Sequence, residues 1–295
     1  MRALLWVSIV AAGSVAAYLA VGYLVAARLS APVRHPPERT PADVGLDYQD
    51  VVLRSSDGLS LHAWWLGRDG STRAAVLVHG WGGDRSDLPV IQTALVYHRA
   101  GFNVLMLDLR AHGESEGDRI TVGYREPRDV RGALSWLERR GFDPQDVVLH
   151  GWSLGGAAVV QAAPRTGVGA VVEEAAFADL VPLLHELLLE VSGLPAFFNP
   201  SILLMGRLSL GIDPWAVRPV EEAAQLYREG VPFMIIHSRD DEMIPFGHAE
   251  LLAAAHPGAT FWKLKGYAHV AAYEHPEYRE RLPSSTRLGG VGNRV

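Results

Sequence analysis

The chain reads as an α/β protein: a mostly parallel central sheet with helices on both faces, a small helical cap, and one N-terminal transmembrane helix. Three observations predict this. Strand-like and helix-like segments alternate through most of residues 48–281. Several of the strand segments are continuous apolar runs, the mark of strands buried on both faces. The opening 28 residues are almost wholly apolar or small.

From Ala3 to Ala27 there is no charged residue. As a helix this segment spans roughly 37 Å at about 1.5 Å per residue, enough to cross a hydrocarbon core of about 30 Å with some tilt. It reads as an uncleaved anchor (residues 1–28) rather than a signal peptide: the apolar run is longer than the usual ~7–15 residues, and Ala26-Ala27-Arg28 is a poor small-residue cleavage site. The localisation expected is therefore a membrane, through a single pass. Arg2 lies before the run and Arg28, Arg34 and Arg39 after it, a margin too thin to assign the side on which the domain lies. Residues 29–47 contain Pro32, Pro36, Pro37 and Pro41 and read as an extended linker holding the domain off the bilayer.

Val51–Arg54 and Leu59–Leu66 form two strand segments about the turn Ser56-Asp57-Gly58. Buried strands are expected at Ala74–His79, Phe102–Asp108, Val147–Gly151, Ala170–Glu173, Pro232–His237 and Thr260–Leu264. A helix is expected over Glu126–Arg140, with Val130, Ala133, Leu134 and Leu137 on one face, and another from Leu154. Residues 178–228 break the alternation. They are leucine-rich and helix-like, interrupted at Pro182, Gly193-Leu194-Pro195, Asn199-Pro200 and Asp213-Pro214, and too long for an ordinary crossover; they read as the cap. The tail, 282–295, reads as flexible.

Gly151-Trp152-Ser153-Leu154-Gly155 is a G-x-S-x-G motif between a buried strand and a small-residue helix. A sharp strand-to-helix turn exposes the serine hydroxyl, and glycines on both sides keep side chains from colliding. A serine needs a base, and His269, in Gly266-Tyr267-Ala268-His269 after a strand, is the candidate among 12 histidines; His275 competes from a surface-like His-Pro-Glu context. The base needs an acid, for which Asp241 is chosen in the loop after Pro232–His237, with Asp240 and Glu242 as neighbours and Glu174 as a more distant alternative. Two amides must hold an oxyanion: Leu154, next after the serine, and Trp81, in His79-Gly80-Trp81-Gly82-Gly83.

These motifs, with Asp108-Leu109-Arg110-Ala111-His112-Gly113-Glu114-Ser115 and the Asp241–Pro245 loop, resemble the α/β-hydrolase superfamily over roughly Tyr48 to Tyr278, most of all its membrane-tethered, prolyl-oligopeptidase-like branch of esterases, thioesterases and peptidases. The resemblance implies the α/β-hydrolase fold and acyl transfer to water with the triad Ser153, Asp241 and His269. It also implies that Arg110 and His112 brace loops near the site. The chain departs from the pattern at Glu173-Glu174-Ala175, where relatives often carry a single Asp followed by Ser or Pro.

Composition narrows the remainder. With 295 residues, 48% of them hydrophobic, and a formal net charge of -6, the chain has core enough for a large domain and no sign of a nucleic-acid partner. It has no cysteine, hence no thiolate nucleophile or ligand, and no metal-ligand spacing is apparent; the expected reaction uses no cofactor. A serine rather than an aspartate at the centre of the G-x-S-x-G motif disfavours dehalogenase chemistry. The cap leucines and phenylalanines Leu183, Leu184, Leu187, Leu188, Leu194, Phe197 and Phe198 suggest a small-molecule or lipid-like substrate with an apolar acyl group on an ester or thioester. The rivals are a peptidase or amidase of the same fold and a non-catalytic scaffold or binding protein.

Overall fold

The computed structural model describes residues 1–282. Eight strands form one sheet in the order β1-β2-β4-β3-β5-β6-β7-β8: β1 Gln49–Arg54, β2 Ser60–Leu66, β3 Ala74–Val78, β4 Asn103–Leu107, β5 Val147–Trp152, β6 Ala170–Glu174, β7 Phe233–Ser238 and β8 Thr260–Leu264. β1 and β2 pair antiparallel around the expected turn, β2 pairs antiparallel with β4, and every later pairing is parallel. The apolar runs are fully buried because successive side chains point into opposite layers. In β3, Ala74, Val76 and Val78 enter one core while Ala75 and Leu77 enter the other.

The long N-terminal helix is α1, Arg2–Leu29. The first core lies under α3 (Pro127–Glu138), α4 (Leu154–Ala162), α7 (Pro219–Glu229) and α8 (Gly247–Ala255); the second lies under α2 (Leu88–Arg99) and α9 (Tyr278–Arg281). Helix α2 was not foreseen. Between β6 and β7 come α5 (Leu180–Ser192) and α6 (Asn199–Leu210). They pack on each other, and α6 packs along α1. These two helices, with short turns at Ala196–Phe198 and Pro214–Ala216, are the cap.

Three expectations need correction. The cap expected over 178–228 overshoots, because α7 turns Ala223 and Leu226 into the sheet core and so belongs to the helix layer. Pro182 does not interrupt anything: it falls in the first turn of α5, where no amide has an intrahelical acceptor to lose. The expected spacer over 29–47 is tied to the domain. The Val33 amide donates to the Ala111 carbonyl (2.9 Å), the Gly113 amide to Val33 (3.1 Å) and the Ile120 amide to Ser30 (2.9 Å), and 41–44 form a short helical turn. The N-terminal helix is not a buried core helix, since residues 1–17 are exposed throughout. The helix is long and apolar enough to cross a membrane. Of the tail, only Leu282 lies within the described residues.

Candidate active site

The parallel strands end on one edge, and the candidate residues follow their carboxyl ends, as ligand-binding groups do in open α/β sheets. Ser153 sits between β5 and α4 with φ 52° and ψ −116°, a strained conformation for a non-glycine residue. The flanking glycines explain how the turn is made. A Cβ on Gly155 would lie 2.1 Å from the Val78 carbonyl oxygen, and one on Gly151 would lie 2.3 Å from that of Gly155. Helix α4 therefore approaches β3 to backbone contact, and its positive end faces the serine. The Ser153 amide donates to the Glu174 carbonyl at 2.8 Å.

Asp241 and His269 come together. The His269 Nδ1 lies 2.8 Å from Oδ2 and 3.0 Å from Oδ1 of Asp241, and Oδ1 accepts the Met243 and Ile244 amides, each at 2.9 Å. Burial works to raise the Asp241 carboxyl, but the His269 hydrogen bond and charge and these two amides outweigh it and hold the carboxyl below its ordinary range. It is thus the anionic partner that fixes an Nδ1–H tautomer and leaves Nε2 free. The Ser153 hydroxyl bonds to no group among the described residues and faces the pocket; such hydrogen bonds commonly tighten with substrate in place. Asp240, an alternative acid, instead accepts the Gly266 amide at 2.6 Å.

The two candidate oxyanion donors also lie at this edge. Leu154 opens α4, where a helix amide has no intrahelical acceptor. Trp81 stands in the loop after β3, beside Gly80, whose added Cβ would lie 3.3 Å from Ser153 Cβ. Two buried histidines hold this loop. His79 presents Nδ1 to the Gly80 carbonyl (2.7 Å) and accepts the Leu109 amide on Nε2 (3.0 Å). His112 presents Nδ1 to the Arg110 carbonyl (2.9 Å) and accepts the Gly82 amide on Nε2 (3.2 Å). Burial lowers each to about 4, so both are neutral at pH 7, and that matches one donor and one acceptor per ring. Arg110 in turn is clamped by Asp129 and Asp57, each at 2.7 Å. The bracing expected of Arg110 and His112 is present; the matching part of His79 was missed.

Glu174 is not the acid partner. Its Oε2 accepts the Trp152 indole N–H (3.0 Å) and its Oε1 the Ala272 amide (2.9 Å), so one carboxyl joins the turn at Ser153 to the segment after His269. Burial raises it to about 7, against the opposing pull of Ala272, Trp152 and Tyr278.

Ser153 and Leu154 open into a pocket of about 180 Å³, roofed by Leu183, Leu184, Leu187 and Leu188 of α5. Among the described residues, no charged side chain lines it. Of the cap residues expected to form an acyl site, Leu194, Phe197 and Phe198 do not line it; Phe197 and Phe198 stack on Tyr18 of α1 instead.

Residues 75–279 match the model of the alpha/beta hydrolase family. The chain belongs to that family. It is 28% identical over 247 residues to the alpha/beta hydrolase domain-containing protein WAV2 of Arabidopsis thaliana, covering 78% of this chain and 75% of that one. It is 25% identical over 214 residues to the uncharacterized protein YfhR of Escherichia coli O157:H7, covering 69% and 66%. A thiohydrolase, aneE of Aspergillus aculeatus, is 31% identical over 119 residues, 39% of this chain and 37% of that one. Among solved structures, the Pyrococcus furiosus esterase Pf2001 superposes with a TM-score of 0.70 at 20% identity, covering 85% of this chain and 96% of that chain, a likeness of fold.

Proposed function

We propose that this alpha/beta hydrolase is a membrane-anchored serine hydrolase that cleaves a carboxylic ester or thioester with an apolar acyl group, through an acyl-enzyme on Ser153. One observation carries the reading: the strained, glycine-flanked Ser153 opens into an apolar pocket, while His269 and Asp241 pair on the same sheet edge.

Ser153 Oγ attacks the carbonyl carbon as His269 Nε2 takes its proton. The Leu154 and Trp81 amides donate to the oxyanion, and the imidazolium is stabilised by Asp241. The tetrahedral adduct collapses; the alcohol or thiol leaves with the proton from His269, and the acyl group stays on Ser153. Water then attacks the acyl-enzyme, giving its proton to His269, and the acid departs as Ser153 recovers its hydrogen. Every step uses groups of this chain and water. About 180 Å³ holds roughly six groups of water or methylene size, the carbonyl end of an acyl chain, and the remainder of a longer chain can leave past the exposed Val191.

The test is hydrolysis of a chain-length series of p-nitrophenyl esters by the full chain in detergent, beside Ser153→Ala. Turnover that vanishes in the variant and rises from short to longer acyl chains, with fluorophosphonate labelling of Ser153, is expected. Absence of both turnover and labelling would move the protein to a binding role on the same fold.

A further inference from the structure

The last turns of α1 belong to the pocket. Ala26, Leu29 and Ser30 share its lining with Ser153 and Leu154. They are held there from two sides. On the cap side, a Cβ added to Gly22 would lie 2.6 Å from the Ser201 backbone, and the Tyr18 hydroxyl donates to the Phe197 carbonyl at 2.7 Å. On the catalytic side, the Trp81 indole N–H donates to the Leu29 carbonyl at 3.3 Å, so the residue proposed to give an oxyanion amide also grips the end of the helix.

Length makes the second argument. The residues of α1 that stand free of the domain are 2–17. At about 1.5 Å each they reach roughly 24 Å, short of a hydrocarbon core of about 30 Å. A bilayer crossed by α1 must therefore take in part of the helix beyond Tyr18 and the cap surface packed on it. That surface is apolar where this requires it: Phe197 is 62% exposed and Leu208 71%, and Leu189 and Leu204 are exposed beside them on the same two helices and their connection. Val191, 52% exposed on α5, both faces outward and lines the pocket, so the apolar surface and the pocket are continuous.

We infer that α1 is a wall of the acyl pocket as well as an anchor, and that the pocket takes its substrate sideways from the bilayer: a long-chain acyl ester or thioester of a membrane-resident lipid. This rests on the hydrolase reading above and specifies its substrate class. The cap, half-immersed, offers the acyl chain a route that never leaves apolar surroundings, which removes the cost of exposing it to water.

The experiment reconstitutes the full chain in phosphatidylcholine vesicles carrying 4-methylumbelliferyl palmitate. The ester in the enzyme's own vesicles is hydrolysed at least about tenfold faster than the same ester supplied in separate vesicles; equal rates overturn entry from the bilayer. In parallel, the wild type is treated with a decyl fluorophosphonate bearing a terminal diazirine and irradiated. Ser153-bound probe cross-links to residues 22–30 if α1 walls the pocket, and cross-links confined to the sheet domain overturn that role. Failure of the probe to react at Ser153 overturns the hydrolase reading and this inference with it.

Discussion

Asp241 shows how much one side chain's neighbours decide. Its Oδ1 serves two backbone amides and its Oδ2 faces His269 Nδ1. In Asp241→Asn the oxygen can keep the amides, but an NH₂ then faces the imidazole. Nδ1 must become the acceptor, the ring proton moves to Nε2, and no base is left for Ser153. The variant is expected to fold with a melting temperature near wild type while kcat falls about a thousandfold or more; a fall under tenfold would remove Asp241 from the mechanism. Glu174 tests pH. Its pKa is raised from the usual 4.5 to about 7 in the fold, so the folded state holds a proton that the unfolded chain releases. The stability tied to that proton is complete below pH 4.5 and is lost as pH rises through about 7. Glu174→Gln has no such proton, so its urea-unfolding free energy should gain on wild type by on the order of 3 kcal/mol between pH 4.5 and 8. A difference that does not change with pH would mean Glu174 ionises normally. At this scale the strand-end placement of the candidate serine, histidine and aspartate was legible, because each sits in a local pattern of strand end and loop. The bracing work of His79 and Glu174 was not, because it depends on burial and on partners 22 to 98 residues away.

The turn at Ser153 is an element that glycine makes possible. A Gly155→Ala methyl would meet the Val78 and His79 carbonyl oxygens at 2.1 and 2.3 Å, and both belong to backbone that cannot swing aside. The expected cost is about 2–4 kcal/mol, read as a lower urea midpoint, together with slower fluorophosphonate labelling of Ser153. Gly247→Ala, at the start of α8, meets nothing within 4 Å and should be neutral or gain up to about 1 kcal/mol. Equal effects from the two would show that helix propensity, not the close approach of α4 to β3, sets the need for glycine. The sheet itself was readable because strands buried on both faces leave unbroken apolar runs, as in Val147–Leu149 and Phe233–Ile236. Helix α7 was assigned to the cap because its pattern states only that one face is buried. That Ala223 and Leu226 meet the sheet core and not α5 is a tertiary fact. The same holds for Phe197 and Phe198, whose apolar rings mark a contact but not whether it is with a ligand or with Tyr18.

Across the whole molecule, the segment between α1 and β1 joins the apolar N-terminal helix to the sheet edge that carries the candidate residues. Its prolines do keep it extended, as the composition implies, but extended chain can bond along its length, and here it does. Besides the Val33 and Ser30 contacts, the Arg34 guanidinium donates to the Ser115 and Gly117 carbonyls at 2.5 and 2.7 Å, and the Glu38 amide donates to Ser86 Oγ at 3.1 Å. Val33 pairs alongside His112, the ring that accepts the Gly82 amide of the loop carrying Trp81, the candidate oxyanion donor. Removing the segment therefore unties the loop expected to stabilise the transition state. Protein shortened to begin at Ala42 should be about 3 kcal/mol or more less stable in urea than protein shortened to begin at Ser30, since each lost hydrogen bond is worth about 0.5–1.5 kcal/mol. Its kcat/KM on p-nitrophenyl acetate, an ester too short to need the α1 wall, should fall as well. Equal midpoints and equal kcat/KM for the two shortened proteins would make residues 30–41 a spacer after all; a fall in stability alone would separate the segment's hold on the domain from any hold on the oxyanion loop.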